Sequence, residues 1–488
     1  MFNPSNYQTA IFDFVTSGAG DAVVDAVPGS GKTTTCVEAS KRLESRNALF
    51  CAFNRHIADE LKTKLQGMRA QTIHSLGLSA LSSIGRPNVE GRKYSQLIRQ
   101  YLTDHGVTDY ETAQKASARI KALLNVVQLT LTEADNQDGL DALAARFDLD
   151  RKDWDFTCKA IAPILYQGID QARQVIDYND MVWLPYVMGL APRAAQWVFV
   201  DEAQDLNKAQ LELVLKARAN GGRMLFVGDK RQAIYGFTGA DTQSIANITQ
   251  RTQAQVLPLS ICYRCPTSHI ALANEVYPGI EARPGAPQGT VRDIDEEDII
   301  QHVHDGDLIV CRTNAPLVAV CFSLIRAGIP ARIRGTDIGK NLISILHQIE
   351  EMQGFQMSRL EVYLQKYVAE QRELRQGMEP DDLEMAMANV KDRVATILAI
   401  YQATRPHTIA DLGREIAMIF SDQRAKVWLS SVHKAKGLEA NHVVVLHPHL
   451  MPHPNATKPW EKEQEMNLKY VALTRAKHAL TFAHGDED

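Results

Sequence analysis

An α/β protein with two parallel-sheet cores, each interrupted by a helical insertion, is predicted by three features of the 488-residue sequence. Short apolar strand signals alternate with helical periods in the first 75 residues. Such alternation marks a parallel sheet covered by helices. It returns near residue 196 and again from about residue 256. Between these stretches the strand signals fade and helical periodicity takes over.

Taken in order, Ala22 to Val27 is a β-branched run ending in Pro28-Gly29, and a helix is expected from Thr33 to about Arg46. Ala48 to Phe53 reads as a second strand and Arg55 to Gln66 as a second helix. Helical periods follow at 93–104, 111–132 and 153–175. Strands resume at Gln196 to Asp201 and Arg223 to Gly228. These place a first core at 1–75 and 178–255, with 76–177 as its helical insertion. Asp307 to Cys311 and Val443 to Leu446 anchor a second core at 256–335 and 424–488, with 336–423 as its insertion. Charged residues of that insertion, among them Glu370, Arg372, Asp381 and Asp382, read as solvated helix faces.

Composition narrows the class. With 45% hydrophobic and 23% charged residues the chain is neither fibrous nor disordered. No apolar run approaches the ~20 residues of a membrane span. The opening residues lack the basic and apolar regions of a signal peptide, and seven scattered cysteines show no framework spacing. Both point to a reducing, cytoplasmic compartment. The net charge, 53 − 58 = −5, argues against a passive coat on duplex phosphate. A narrow groove with local positive charge stays compatible with it.

Two segments carry nucleotide chemistry. Ala26-Val27-Pro28-Gly29-Ser30-Gly31-Lys32-Thr33-Thr34 lies between a strand and a helix, as a phosphate-binding loop requires. Its glycines let backbone N–H groups turn toward a phosphate, and the helix start adds its positive end. Lys32 would reach the outer phosphates and the Thr33 hydroxyl would hold Mg²⁺. Ala26 stands where the strict pattern has glycine. Val198-Phe199-Val200-Asp201-Glu202 supplies the second half: Asp201 at the sheet edge for Mg²⁺, Glu202 to polarise a water. Kinases, GTPases and motors all share these parts.

Four later segments discriminate among them: Gly228-Asp229-Lys230-Arg231-Gln232-Ala233-Ile234-Tyr235-Gly236-Phe237, Cys262-Tyr263-Arg264, His433-Lys434-Ala435-Lys436-Gly437-Leu438-Glu439, and Tyr470-Val471-Ala472-Leu473-Thr474-Arg475. In order and spacing the set resembles superfamily 1 DNA helicases of the UvrD/Rep/PcrA type, from Asn3-Pro4 onward. The helical insertions match only in position. The resemblance implies two RecA-like cores with ATP and Mg²⁺ between them. It implies an ATP hydrolase that moves 3′→5′ on single-stranded DNA and unwinds duplex. It assigns adenine reading to Gln8, γ-phosphate sensing to Gln232, base stacking to Tyr263, and γ-phosphate contacts to Arg264 and Arg475. Glu439 becomes the acid beside the nucleotide. Phe53, Asn54, Arg55, Thr72, His74, Tyr235, Phe237 and His433 become DNA contacts.

Several positions depart from that family. Phe237-Thr238 replaces an aromatic–arginine pair, Cys262 replaces an asparagine, and Lys230-Arg231 replaces an acidic run. The chain stops soon after Arg475, so the long tail of larger relatives is not expected. The implied partners are single-stranded DNA and single/double-strand junctions, with repair or replication proteins, around a monomer. A translocase that strips proteins from single strands is an alternative. So is a P-loop kinase or NTPase unrelated to DNA. The Cys262-x-x-Cys265 spacing lacks a second cysteine pair, and His442, His447, His449 and His453 read as loop residues, so no zinc or redox site is assigned.

Overall fold

The computed structural model describes every residue except Met1, Phe53, Gln66, Asp148, 235–242, 376–379, 422–424 and 486–488. The chain divides into two units, Met1–Ser260 and Ile261–Asp488.

The first unit is built on a six-stranded sheet. Its strands are β1 (Ala22–Ala26), β2 (Ala48–Ala52), β3 (Arg69–Thr72), β4 (Ala195–Val200), β5 (Arg218–Gly228) and β6 (Gln255–Leu259). They lie in the order β3-β2-β4-β5-β1-β6, and every pairing is parallel. Alternation along the strands feeds two cores. Ala22, Val24, Phe50, Phe199 and Leu225 pack on one face, and Val23, Leu49, Cys51, Val198 and Phe226 on the other. A sheet covered on both faces needs apolar residues at every position, which is why these strands read as continuous hydrophobic runs. The Phe50 and Phe199 rings stack at 4.3 Å between centroids.

β6 corrects the expected division at 255/256. It runs beside β1, with Ala22 opposite Gln255 and Ala26 opposite Leu259, so the first unit continues past it. The loop helix is also shorter than expected. It spans Lys32–Ser40 and gives way to a turn before Arg46.

The helices Lys93–Asp104, Tyr110–Thr130, Gln137–Arg146 and Trp154–Asp170 enclose a core of their own around Ile98, Ile120, Leu123 and Ile161. One buried ion pair closes it. Lys93 Nζ lies 2.6 Å from Asp180 Oδ2 and donates to the Gly168 carbonyl at 2.7 Å, while the Tyr94 hydroxyl donates to Asp180 at 2.8 Å. Removing one partner of such a pair leaves an uncompensated buried charge. Nothing in the periodicity of the sequence announced this pair.

The second unit has its own six-stranded parallel sheet. Its strands are β7 (Thr290–Asp295), β8 (Leu308–Cys311), β9 (Ala331–Ile333), β10 (Val427–Ser431), β11 (Ala440–Leu446) and β12 (Ala476–His484), in the order β7-β12-β11-β8-β10-β9. The helices between β9 and β10 pack directly on this sheet. Leu342, Leu346, Ile416 and Phe420 share one cluster with Ile309, Ile333 and Leu429. The Asp392 carboxylate caps the helix Ala315–Arg326 by accepting from Asn314 N at 3.0 Å and Ala315 N at 3.0 Å. The two helical stretches are therefore built differently: the first carries a separate core and the second extends the core of the sheet. Among the described residues no helix is long and apolar enough to cross a membrane.

Candidate nucleotide and DNA site

All strands of the first sheet are parallel, so their carboxyl ends share one edge. Pro28 to Thr33 follow β1, Asp201 and Glu202 follow β4, and Asp229 to Gln232 follow β5. Sequence positions about 170 and 200 residues apart thus meet at that edge. Gly31 caps the helix Lys32–Ser40 with φ 78°, a left-handed conformation that costs a side-chain-bearing residue about 1–2 kcal/mol. A helix start leaves its first N–H groups without intrahelical partners, the arrangement that accepts a phosphate.

Thr33 Oγ1 donates to Asp201 Oδ2 at 3.1 Å, and Lys32 Nζ lies 3.8 Å from Glu202 Oε1. Burial and the neighbouring Glu202 charge raise the Asp201 carboxyl to about 6, against the opposing pull of Lys32. A carboxylate held so far up is short of positive charge. The Ser30 hydroxyl is buried without a hydrogen-bond partner among the described residues. Two hard oxygen donors in contact, Thr33 and Asp201, fit Mg²⁺, and the orphaned hydroxyl beside them fits a phosphate. Glu202 itself sits at φ 51°, the kind of uncommon backbone that collects at functional sites.

Gln232 is buried and donates to Asp229 Oδ2 at 2.9 Å. Lys230-Arg231, the departure from the acidic run, has a local explanation. Arg231 pairs with Asp229 at 2.7 Å and with Asp25 at 3.1 Å. Gln8 is buried in a capping box, its Oε1 accepting from Ser5 N and its Nε2 donating to Thr35 Oγ1, each at 3.0 Å. Thr34 is exposed on the same helix as Lys32.

The expected DNA contacts of this unit follow β2 and β3. Asn54 Oδ1 accepts from Ile57 N at 2.9 Å, and Thr72 Oγ1 accepts from Ser75 N at 3.2 Å, so both cap helices. Arg55 is exposed, 3.7 Å from Asp59, and His74 is half-buried and lowered by burial. Phe53, Tyr235 and Phe237 lie outside the described residues.

In the second unit Arg264, Glu439 and Arg475 converge. Arg264 Nε donates to Glu439 Oε2 at 2.7 Å and its Nη1 to the Thr474 carbonyl at 3.3 Å. Lys477 Nζ lies 2.5 Å from the other Glu439 oxygen. Burial acts to raise the Glu439 carboxyl, but Lys477 and Arg264 together hold it below its ordinary value. Arg475 is 2% exposed, donating to the carbonyls of Val471 at 2.9 Å and Leu438 at 3.4 Å. Tyr263 beside them is 41% exposed, an open ring face. His433 is not part of this group. It follows β10 near Arg312, whereas Glu439 and Arg475 precede the amino ends of β11 and β12. Burial, with Arg312 and Lys434, pushes His433 down to about 3.

Sequence reasoning missed Gln204, Arg312 and Glu465. Arg312 grips Glu465 with two nitrogens, at 2.7 to 3.0 Å, beside His453. Their signal was weak: single polar residues bounding apolar strands and helices. Two of the set-aside histidines have hydrogen-bond partners, and His442 is buried in β11 rather than in a loop. His442 Nδ1 meets Asp307 at 2.8 Å and its Nε2 meets Thr481 at 2.8 Å, while His447 pairs with Glu296 at 2.6 Å. Cys262 and Cys265 are free thiols, and Cys265 N donates to Cys262 Sγ at 3.3 Å.

Residues 8–253, just over half of the chain, match the model of the UvrD/REP helicase N-terminal domain. The chain belongs to the UvrD/Rep helicase family. Residues 426–483 match the UvrD-like helicase C-terminal domain. Similar family members include the ATP-dependent DNA helicase PcrA of Staphylococcus aureus, 25% identical over 295 residues, covering 54% of this chain and 38% of that protein. A probable DNA helicase II homolog of Mycoplasma pneumoniae is 24% identical over 309 residues, 57% of this chain and 42% of that one. DNA helicase II of Haemophilus influenzae is 24% identical over 415 residues, 62% and 57%. The matches span between about two fifths and three fifths of these UvrD/Rep relatives.

Proposed function

We propose that this chain is an ATP-hydrolysing motor that steps 3′→5′ along single-stranded DNA and separates duplex ahead of it. The carrying observation is a division of labour. The phosphate loop and its acids are assembled in the first unit, and in the second Arg264 is held by Glu439 and Arg475 by the neighbouring Leu438 carbonyl. Each set is incomplete for γ-phosphoryl transfer without the other's chemistry.

Lys32 and the loop N–H groups bind the phosphates, and Glu202 orients the attacking water and takes its proton. Thr33 and Asp201 would hold Mg²⁺, which offsets the charge spread over the β- and γ-phosphate oxygens. Gln232 reports the γ-phosphate to the segment that follows it. Arg264 and Arg475 stabilise the developing charge, a contribution of roughly 10³–10⁵ in rate for an arginine finger. ATP favours the state in which both sets engage it, by its differential affinity for that state. Release of phosphate ends that preference, and the alternation moves the strand. Asn54, Arg55, Thr72 and His74 hold the DNA backbone without reading sequence, and Tyr235 and Phe237 offer ring faces to bases.

The test is ATP turnover with and without an oligonucleotide, then strand separation on 3′- and 5′-tailed duplexes. Strong stimulation by single-stranded DNA and unwinding from the 3′ tail are expected. Turnover indifferent to DNA overturns the motor reading, and unwinding from the 5′ tail overturns the polarity.

A further inference from the structure

Gln204 lies one short turn beyond the two acids, in the 3₁₀ segment Ala203–Asp205, and is 1% exposed. Its amide nitrogen donates to Glu202 Oε2 at 2.5 Å and to Asp205 Oδ2 at 3.3 Å. Its amide oxygen accepts from the backbone N of Asp229 at 3.0 Å. The chemistry fixes this orientation, because a flipped amide would set its oxygen against two carboxylates. The carboxylate of Asp229 then accepts from the Gln232 amide at 2.9 Å. A continuous chain of hydrogen bonds therefore runs from Glu202 through Gln204 and Asp229 to Gln232.

The backbone is shaped around this chain. A Cβ on Gly228 would fall 2.4 Å from Gln204 Oε1, so a side chain at the end of β5 would push this amide out of its place. Glu202 is held in the left-handed region, and its carboxylate is tied by the Gln204 amide two residues on. The Glu202–Gln204 contact lies beyond the sheet, since the pairings of β4 end at Val200.

We propose that Gln204 is a positioning residue for ATP hydrolysis: it fixes the Glu202 carboxylate to the segment carrying Gln232, so that water activation and γ-phosphate sensing act as one unit. The inference rests on the ATPase reading above. Gln204 touches neither phosphate nor water in this account. It works through Glu202 and Asp229.

Two variants test it. Gln204→Met keeps the length and removes all three hydrogen bonds. It should lower kcat roughly 10- to 100-fold, the loss expected for one hydrogen bond to a charged group, with the KM for ATP within about threefold. Gln204→Glu can donate a proton to Glu202 only when its own carboxyl is neutral. Its kcat relative to the parent should therefore climb as pH falls from 8 to about 5.5. A Gln204→Met enzyme with the parent kcat overturns the proposal, as does a loss carried by KM alone. Should that variant fail to fold, a Gln204→Glu ratio that is flat with pH overturns it by itself. The parent chain assayed alongside separates the two levels. If the parent does not hydrolyse ATP, both readings fall; if it does and the variants match it, only the role of Gln204 falls.

Discussion

Asp201→Asn should stabilise the nucleotide-free chain while abolishing its turnover. Burial and Glu202 raise the Asp201 carboxyl from an ordinary 3.8 to about 6 in the folded state. The direction of the pH effect follows. Below pH 3.8 the carboxyl is protonated in both folded and unfolded chains, and it contributes no difference. Between about 4 and 6 the unfolded chain ionises first, so the folded state loses ground as pH rises. Above about 6 the penalty is fully developed. A separation of about two pH units corresponds to at most about 3 kcal/mol, and relaxation of Glu202 and Lys32 would bring this nearer 1–2. The asparagine variant removes the penalty and keeps an oxygen acceptor for Thr33. Urea unfolding followed by tryptophan fluorescence, at pH 8 and at pH 4.5, reads the difference. Trp183 and Trp197 are buried in the first unit and report on it. The variant should exceed the parent by about 1–3 kcal/mol at pH 8 and by much less at pH 4.5. Magnesium and a nucleotide at a hundredfold excess over Kd should then add about 2.7 kcal/mol to the parent and less to the variant. A variant less stable than the parent at pH 8, or a gain that ignores pH, refutes the reasoning.

Other substitutions separate the parts of the site. Gly31→Ala forces a side chain into φ 78° and should cost about 1–2 kcal/mol of first-unit stability in the same urea assay; no measurable loss would show that the loop relaxes. Arg475→Ala should bind ATP in a fluorescent-nucleotide titration yet hydrolyse it about 10³-fold more slowly, and near-normal DNA-stimulated turnover would remove Arg475 from the phosphate chemistry. His433, held near 3, stays neutral across the working range, so His433→Asn should change the affinity for oligonucleotide without moving either limb of the pH–rate profile between 5.5 and 8. A limb that disappears in that variant would contradict its neutral state.

The alternating strand and helix signals, the glycine-rich loop and the paired acids were legible because each is a local property of consecutive residues. Lys32, Thr33, Asp201 and Glu202 could be named without coordinates, since a parallel sheet delivers the end of every strand to one edge. The order of the later segments likewise carried Arg264, Glu439 and Arg475. What the sequence could not reveal depends on approach between distant segments. No periodicity places β6 beside β1, so the boundary between the units was drawn before that strand and belongs after it. No spacing shows that Lys93 is buried against Asp180, or that the two helical stretches pack by different means. Gln204 was invisible for the same reason. Its partners lie on both sides of a strand end, at Glu202 and at Asp229, and a buried amide becomes informative only when the groups that satisfy it are in place. Local chemistry was written in the chain; which polar groups must satisfy one another was settled by packing, because burial removes water as the alternative partner.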